Sequence, residues 1–101
     1  MAGGTVRVLI YAVADEDGVG RAYHEISAAL RGTPGLLGNE LLREFGNDDG
    51  GFAVMSEWVD RDAFQAWEQG PGHRDVTAPL RPYQDTGRGR PFGLYEVVAR
   101  Y

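Results

Sequence analysis

Gly51–His73, GFAVMSEWVDRDAFQAWEQGPGH, passes from a strand pattern into a helix pattern with no loop between them, and it carries both tryptophans of the chain. From residue 52 the side chains alternate, so Phe52, Val54, Ser56 and Trp58 share one face while Ala53, Met55 and Glu57 share the other. This predicts a strand over 52–58. Asp60 then offers an oxygen to the free amides of a first helical turn, and Asp62 suits the positive end of that turn. Ala63, Phe64 and Trp67 recur at helical spacing, which predicts a helix over 60–69 stopped by Gly70 and Pro71.

Upstream, Val6–Val13 (VRVLIYAV) is rich in β-branched residues and apolar on both faces, the pattern of an interior strand over 6–13. An acidic turn follows, and Val19, Tyr23, Ile26 and Leu30 then step by four, three and four along a helix over 18–31 ended by Gly32. Thr33, Pro34 and Gly35 punctuate. A second strand is expected over 36–45, with Leu37, Asn39, Leu41, Arg43 and Phe45 on one face. Gly46–Gly51 (GNDDGG) has hairpin-turn chemistry, which makes this strand and 52–58 antiparallel neighbours. Downstream, His73, Val76, Leu80 and Tyr83 step by three, four and three, a helical piece over 73–83 interrupted by Pro79 and Pro82. Thr86–Pro91 reads as a polar loop, and 92–101 as the last strand.

The order β-α-β-β-α-(α)-β, in one domain over 1–101, closes under the rules for sheet connections into an α+β, ferredoxin-like split βαβ fold. It has a four-stranded antiparallel sheet with helices on one face. The other face of that sheet also carries Leu, Met, Val and Tyr, which predicts a homodimer covering it.

Composition removes several function classes. The 101 residues carry 10 basic and 15 acidic side chains, and a net charge of −5 opposes attraction to phosphate backbones and anionic lipid, so neither nucleic acid nor membrane is an expected partner. Every basic residue is arginine, which excludes lysine Schiff-base chemistry. With no cysteine there are no disulfides, thiolate nucleophiles or thiolate-bound metals. The longest apolar run, Val8–Ala14, is far short of the roughly 20 residues of a membrane span, and Met1–Thr5 has no basic region preceding a signal sequence. The expectation is a soluble cytoplasmic protein. Two histidines on separate elements make a poor transition-metal site, so no metal is expected.

Pro34-Gly35-Leu36-Leu37, Glu57-Trp58, Ala63-Phe64-Gln65-Ala66-Trp67 and His73, taken with the element order from Val6 to Tyr101, resemble the antibiotic biosynthesis monooxygenase family of dimeric α+β barrels. The resemblance implies a homodimer with its sheets back to back and a pocket in each subunit between sheet and helices. It also implies a cofactor-independent monooxygenase that oxidises an aromatic polyketide-type phenol or anthrone to a quinone with dioxygen. The alternatives within the family's fold are a haem-binding or haem-degrading oxygenase, a non-oxidative cyclase and a ligand-binding dimer. Haem-degrading relatives carry the axial ligand about one turn beyond His73, where this chain has Thr77.

Trp67, His73 and Asn39 are the candidate catalytic residues. Trp67 offers a flat face and an indole N–H, His73 an imidazole suited to take a phenolic proton, and Asn39 an amide able to donate to an oxyanion. Trp58, Tyr11, Arg81 and Tyr83 are the candidate substrate contacts. Each has a plainer reading: the tryptophans as core, His73 as a hydrogen-bonded structural residue, Asn39 as a strand-to-strand bond, Arg81 as a surface cation. His24 falls about 100° from Tyr23 on its helix and reads as a surface residue.

Overall fold

The computed structural model describes residues 4–13, 16–46, 51–85, 87 and 92–101, the side chains of residues 73 and 74 excepted. Its elements are β1 (Val6–Ala12), α1 (Glu16–Leu30), β2 (Leu36–Arg43), β3 (Phe52–Trp58), α2 (Arg61–Glu68), α3 (His73–Thr77), a 3₁₀ segment (Ala78–Tyr83) and β4 (Phe92–Glu96). The strands lie in the order β2-β3-β1-β4, with every neighbouring pair antiparallel. This is the ferredoxin-like split βαβ arrangement that the pattern predicts, an α+β sheet with helices on one face.

Local chemistry accounts for the main boundaries. Asp60 is extended and its carboxylate accepts from the Ala63 amide at 2.8 Å, capping α2. Pro79 and Pro82 cannot donate to a continuing α-helix, so α3 tightens into the 3₁₀ segment. Gly35 has φ +83°, and a Cβ there would stand 2.4 Å from the Ala63 Cβ. The Pro34-Gly35 turn thus sets both a left-handed backbone and close approach to α2. The expected GNDDGG turn and the 86–91 loop fall largely outside the described residues.

Three expectations need correction. Leu37 does not share the inner face with Asn39 and Leu41. A register irregularity between Leu36 and Gly38 places Leu36 opposite Trp58 and leaves Leu37 53% exposed. The last strand stops at Glu96, because beyond the bond from Val97 N–H to the Thr5 carbonyl at 2.8 Å no β1 residue is left to pair. The second strand stops at Arg43, the partner of the first residue of β3, and Phe45 is exposed.

The core lies between the inner sheet face and the helices. Val19, Ala22, Ile26 and Leu30 of α1 pack with Ala12, Val54 and Leu80, and Trp58 packs with Val6, Val8 and Phe64. On the outer face, Arg7 pairs with Glu57 at 3.1 Å, and Tyr11 meets Tyr95 hydroxyl to hydroxyl at 3.2 Å. Both tyrosines close over Gly93, where a Cβ would lie 2.7 Å from the Tyr95 ring. No described helix is long and apolar enough to cross a membrane.

Candidate functional site

A cavity of about 310 Å³ lies between the inner sheet face and the helices. Its floor follows from strand register. Asn39 pairs with Ser56, Ser56 with Val8 and Val8 with Leu94, so one cross-strand row spans all four strands and every member lines the cavity. In the adjoining row, Val54, Ile10 and Phe92 line it as well. The first row is therefore polar on β2 and β3 and apolar on β1 and β4, and the second row is apolar throughout. Phe92 and Leu94, 41% and 49% exposed, mark the mouth along β4, whereas Ile26, Leu30 and Val54 are buried at the other end. A second hollow of about 280 Å³ adjoins it, sharing Phe64, Glu68 and Leu94.

Helix α2 brings Trp67 over this floor, half-buried, with its ring 5.3 Å from that of Trp58 and 6.1 Å from that of Phe64. The 3₁₀ segment contributes Arg81, and Gln84 enters from the bridge it forms with Ala12 at the end of β1. Of the residues singled out from sequence, Asn39, Trp67 and Arg81 thus meet on one cavity.

The others are placed elsewhere. Trp58 is fully buried with its indole N–H donating to Ser56 Oγ at 3.0 Å, so it supports a floor residue from the core without lining the cavity. Tyr11 points from the opposite sheet face, because it alternates with Ile10 and Ala12. Tyr83 packs against the α1 cluster and is not among the lining residues. His73 opens α3 one turn before Thr77, which lines the cavity, but its side chain lies outside those described.

Ser56 and Thr77 belong to the lining and were not among the sequence candidates. Ser56 left a signal: it is the lone hydroxyl on the inner face Phe52, Val54, Ser56, Trp58, where only apolar residues would serve packing. Ser27 supports the wall from behind, its Oγ accepting from Asn39 Nδ2 at 2.7 Å, while the Tyr23 hydroxyl donates to the Asn39 carbonyl at 2.8 Å.

A family model described as antibiotic biosynthesis monooxygenase matches residues 13–78, well over half of the chain. The chain belongs to the antibiotic biosynthesis monooxygenase family. Among solved structures, SnoaB, a cofactor-independent oxygenase from Streptomyces nogalater, is 24% identical, with 99% of this chain and 96% of that one covered and a TM-score of 0.72. A haem-degrading protein from Mycobacterium tuberculosis is also 24% identical, with 97% of each chain covered and a TM-score of 0.64. A dimeric ferredoxin-like protein of unknown function from Thermobifida fusca is 18% identical, covering 98% of this chain and 93% of that one at a TM-score of 0.66. At these identities the likenesses establish the fold. A search of curated proteins finds no match.

Two of these structural neighbours are a cofactor-independent oxygenase and a haem-degrading protein, so the donor set of this cavity matters. An axial haem ligand is a His, Cys, Met or Tyr side chain, and the described lining contains none of these. Thr77 is buried in the wall and carries a hydroxyl in place of any such ligand. Nor does any group of three or more His, Cys, Asp or Glu among the described residues suit a metal ion. Titrating the protein with haemin is expected to leave the Soret band of free haemin unshifted; a shifted band at one equivalent would show that a ligand is supplied after all.

Proposed function

We propose that this family member is a cofactor-independent monooxygenase that oxidises a planar aromatic phenol or anthrone to a quinone. One observation carries the reading: a single cross-strand row along the cavity floor is polar at its Asn39–Ser56 end and apolar at its Val8–Leu94 end, with Trp67 in the same lining. Three strand spacings of about 4.8 Å make the Asn39 to Leu94 row about 14 Å long, comparable to three or four linearly fused rings. A polycyclic ring lying on the sheet would present one face to Val8 and Ile10 and the other to the Trp67 indole.

Ground-state dioxygen is a triplet and reacts slowly with closed-shell molecules, so the substrate has to supply the electron. A deprotonated anthrone or phenol passes one electron to dioxygen, and the radical pair recombines as a hydroperoxide at ring carbon. Loss of water then leaves the quinone: one oxygen atom stays in the product, the other departs as water, and the four electrons reducing dioxygen all come from the substrate. The protein's tasks are to hold the ring flat, favour its anion and stabilise the developing negative oxygen. Arg81 is the polar group we assign to the anion and Trp67 to the ring, while Asn39, whose Nδ2 is taken up by Ser27, is assigned to hold the substrate in register; His73 is assigned the phenolic proton.

The test is oxygen uptake by metal-free protein supplied with a set of anthrones and polycyclic phenols, together with product mass. Gain of one oxygen and loss of two hydrogens supports the reading. Loss of water alone would instead identify a cyclase, and unchanged ligand a binding protein.

We also propose that the outer sheet face is covered by a second copy. Tyr95 and Leu42 there are 51% and 37% exposed, and Leu9, Ala53 and Met55 stand between them on the same face. A sheet with one face on helices and an apolar second face is expected to bury that face by association. Light scattering at micromolar concentration is expected to give the mass of two chains, and the mass of one chain would refute the dimer.

A further inference from the structure

Asn39 is held at two points yet left incomplete. Its Nδ2 donates to Ser27 Oγ at 2.7 Å and its backbone carbonyl accepts from the Tyr23 hydroxyl at 2.8 Å, but its side-chain Oδ1 is buried with no hydrogen-bond partner. Native folds rarely leave a buried amide oxygen unpaired, and a ligand is one of the few things that can complete it. Directly across from it on β3 stands Ser56. The Ser56 oxygen accepts the Trp58 indole N–H at 3.0 Å, a bond that leaves the serine's own proton to donate. Paired positions on neighbouring strands hold their side chains about 4.5–5.5 Å apart at Cβ, and both residues line the cavity.

We propose that Asn39 and Ser56 form a subsite at the polar end of the floor that recognises a hydroxyl group on the end of a planar aromatic ligand, with Ser27 as its positioning residue. The proposal rests on the reading of the cavity as an aromatic site. A hydroxyl suits the pair because it is both donor and acceptor: its proton goes to Asn39 Oδ1 while its oxygen accepts from Ser56. An ether or a ketone oxygen can satisfy Ser56 alone and would leave Oδ1 buried and unpaired. Ser27 decides the polarity of the subsite. By accepting from Nδ2 it leaves Oδ1 as the edge of the amide without a partner; with the amide turned over, Nδ2 would be the unpartnered edge and the preference would swing to ligand oxygens that only accept. Selection of a ring by its terminal hydroxyl places that group about 14 Å from the mouth at Leu94, so the hydroxylated end enters first.

The experiment is calorimetric titration of the whole protein, without oxygen, using 2-naphthol and 2-methoxynaphthalene. The readout is the ratio of their affinities in each variant, because the ligands' different hydrophobicities cancel when variants are compared. Asn39→Leu, which removes the acceptor at similar volume, is expected to lower the naphthol preference roughly tenfold. Ser27→Ala, which touches no ligand, is expected to lower it several-fold, and Ser27→Thr to retain it. A merely structural role for Ser27 would lower the melting temperature and leave the ratio where it was. Should Asn39→Leu fail to fold, Ser27→Ala carries the comparison. A ratio unchanged within about twofold in the variants that fold would overturn the subsite, as would a wild-type preference for the ether that reverses on substitution. If neither ligand binds the wild type, the subsite and the aromatic site fall together. Binding with the expected ratios but no oxygen uptake would leave the subsite standing and remove the oxygenase reading alone.

Discussion

Trp58→Ala is expected to leave this protein barely folded at 37 °C. Trp58 is fully buried, packs edge-on to Phe64 at 5.8 Å and lies 5.3 Å from the Trp67 ring, and it ends the strand whose partners are Val6 on one side and Leu36 on the other. Removing a buried tryptophan costs about 3–5 kcal/mol, because the lost transfer energy is joined by a cavity that the neighbours fill only in part. Against a total of about 5–15 kcal/mol, that is a large share of the stability of a small domain. Each kcal/mol lowers the melting temperature of a domain this size by about 4–8 °C, so a fall of more than about 12 °C is expected by thermal melt. Trp58→Phe restores much of the volume and leaves Ser56 without its indole donor, so it should fold with a smaller loss. A melt for Trp58→Ala within a few degrees of wild type would show that the aromatic cluster repacks and that Trp58 does not organise it.

His73→Ala is expected to slow oxygenation by about 10²–10⁴-fold at pH 6, the usual worth of a general base. The loss should shrink as the pH approaches 9, since imidazole assistance matters most while the phenol is neutral and matters less once the substrate ionises unaided. Trp67→Phe keeps an apolar face over the floor and removes the indole N–H. It is expected to lower kcat with a stability loss on the order of 1 kcal/mol, because Trp67 is only half-buried whereas Trp58 is wholly so. Measuring kcat/KM from pH 6 to 9 beside thermal melts separates roles. A pH-independent rate defect in His73→Ala would end its assignment as base, and a falling melt with constant rate per folded molecule would make either residue structural.

The fold was legible because its signals are local. Alternation along Phe52–Trp58, the Asp60 cap and the four-three-four stepping of α1 are read from neighbouring residues alone, and all three are formed by the chain. The family resemblance was legible in the same way, through short motifs that fix turns and packing, such as Gly35 against Ala63. Legibility ended where one residue's direction depends on a distant partner. Leu37 and Leu36 are indistinguishable by composition, and only pairing with β3 decided that Leu36 turns inward. Tyr11 sits in a strand apolar on both faces, so its sequence could not tell cavity from outer surface.

The candidate site divides along the same line. Sequence by itself determined the βαββαβ order, the absence of lysine and cysteine chemistry, and a short set of aromatic and polar residues from which a site could be built. Tertiary structure alone decided which of them meet. The sheet order β2-β3-β1-β4 aligns Asn39, Ser56, Val8 and Leu94 in one row although they lie far apart in the chain. Helix α2 brings Trp67 to the cavity lining, whereas Trp58 at the end of β3 is buried in the core beside it. Periodicity reports which face of an element a residue occupies, but the long-range register of the strands determines what stands opposite it. That is why two tryptophans in a single stretch of sequence have different roles, and why a serine on an apolar face acquired a partner that its own neighbourhood did not show.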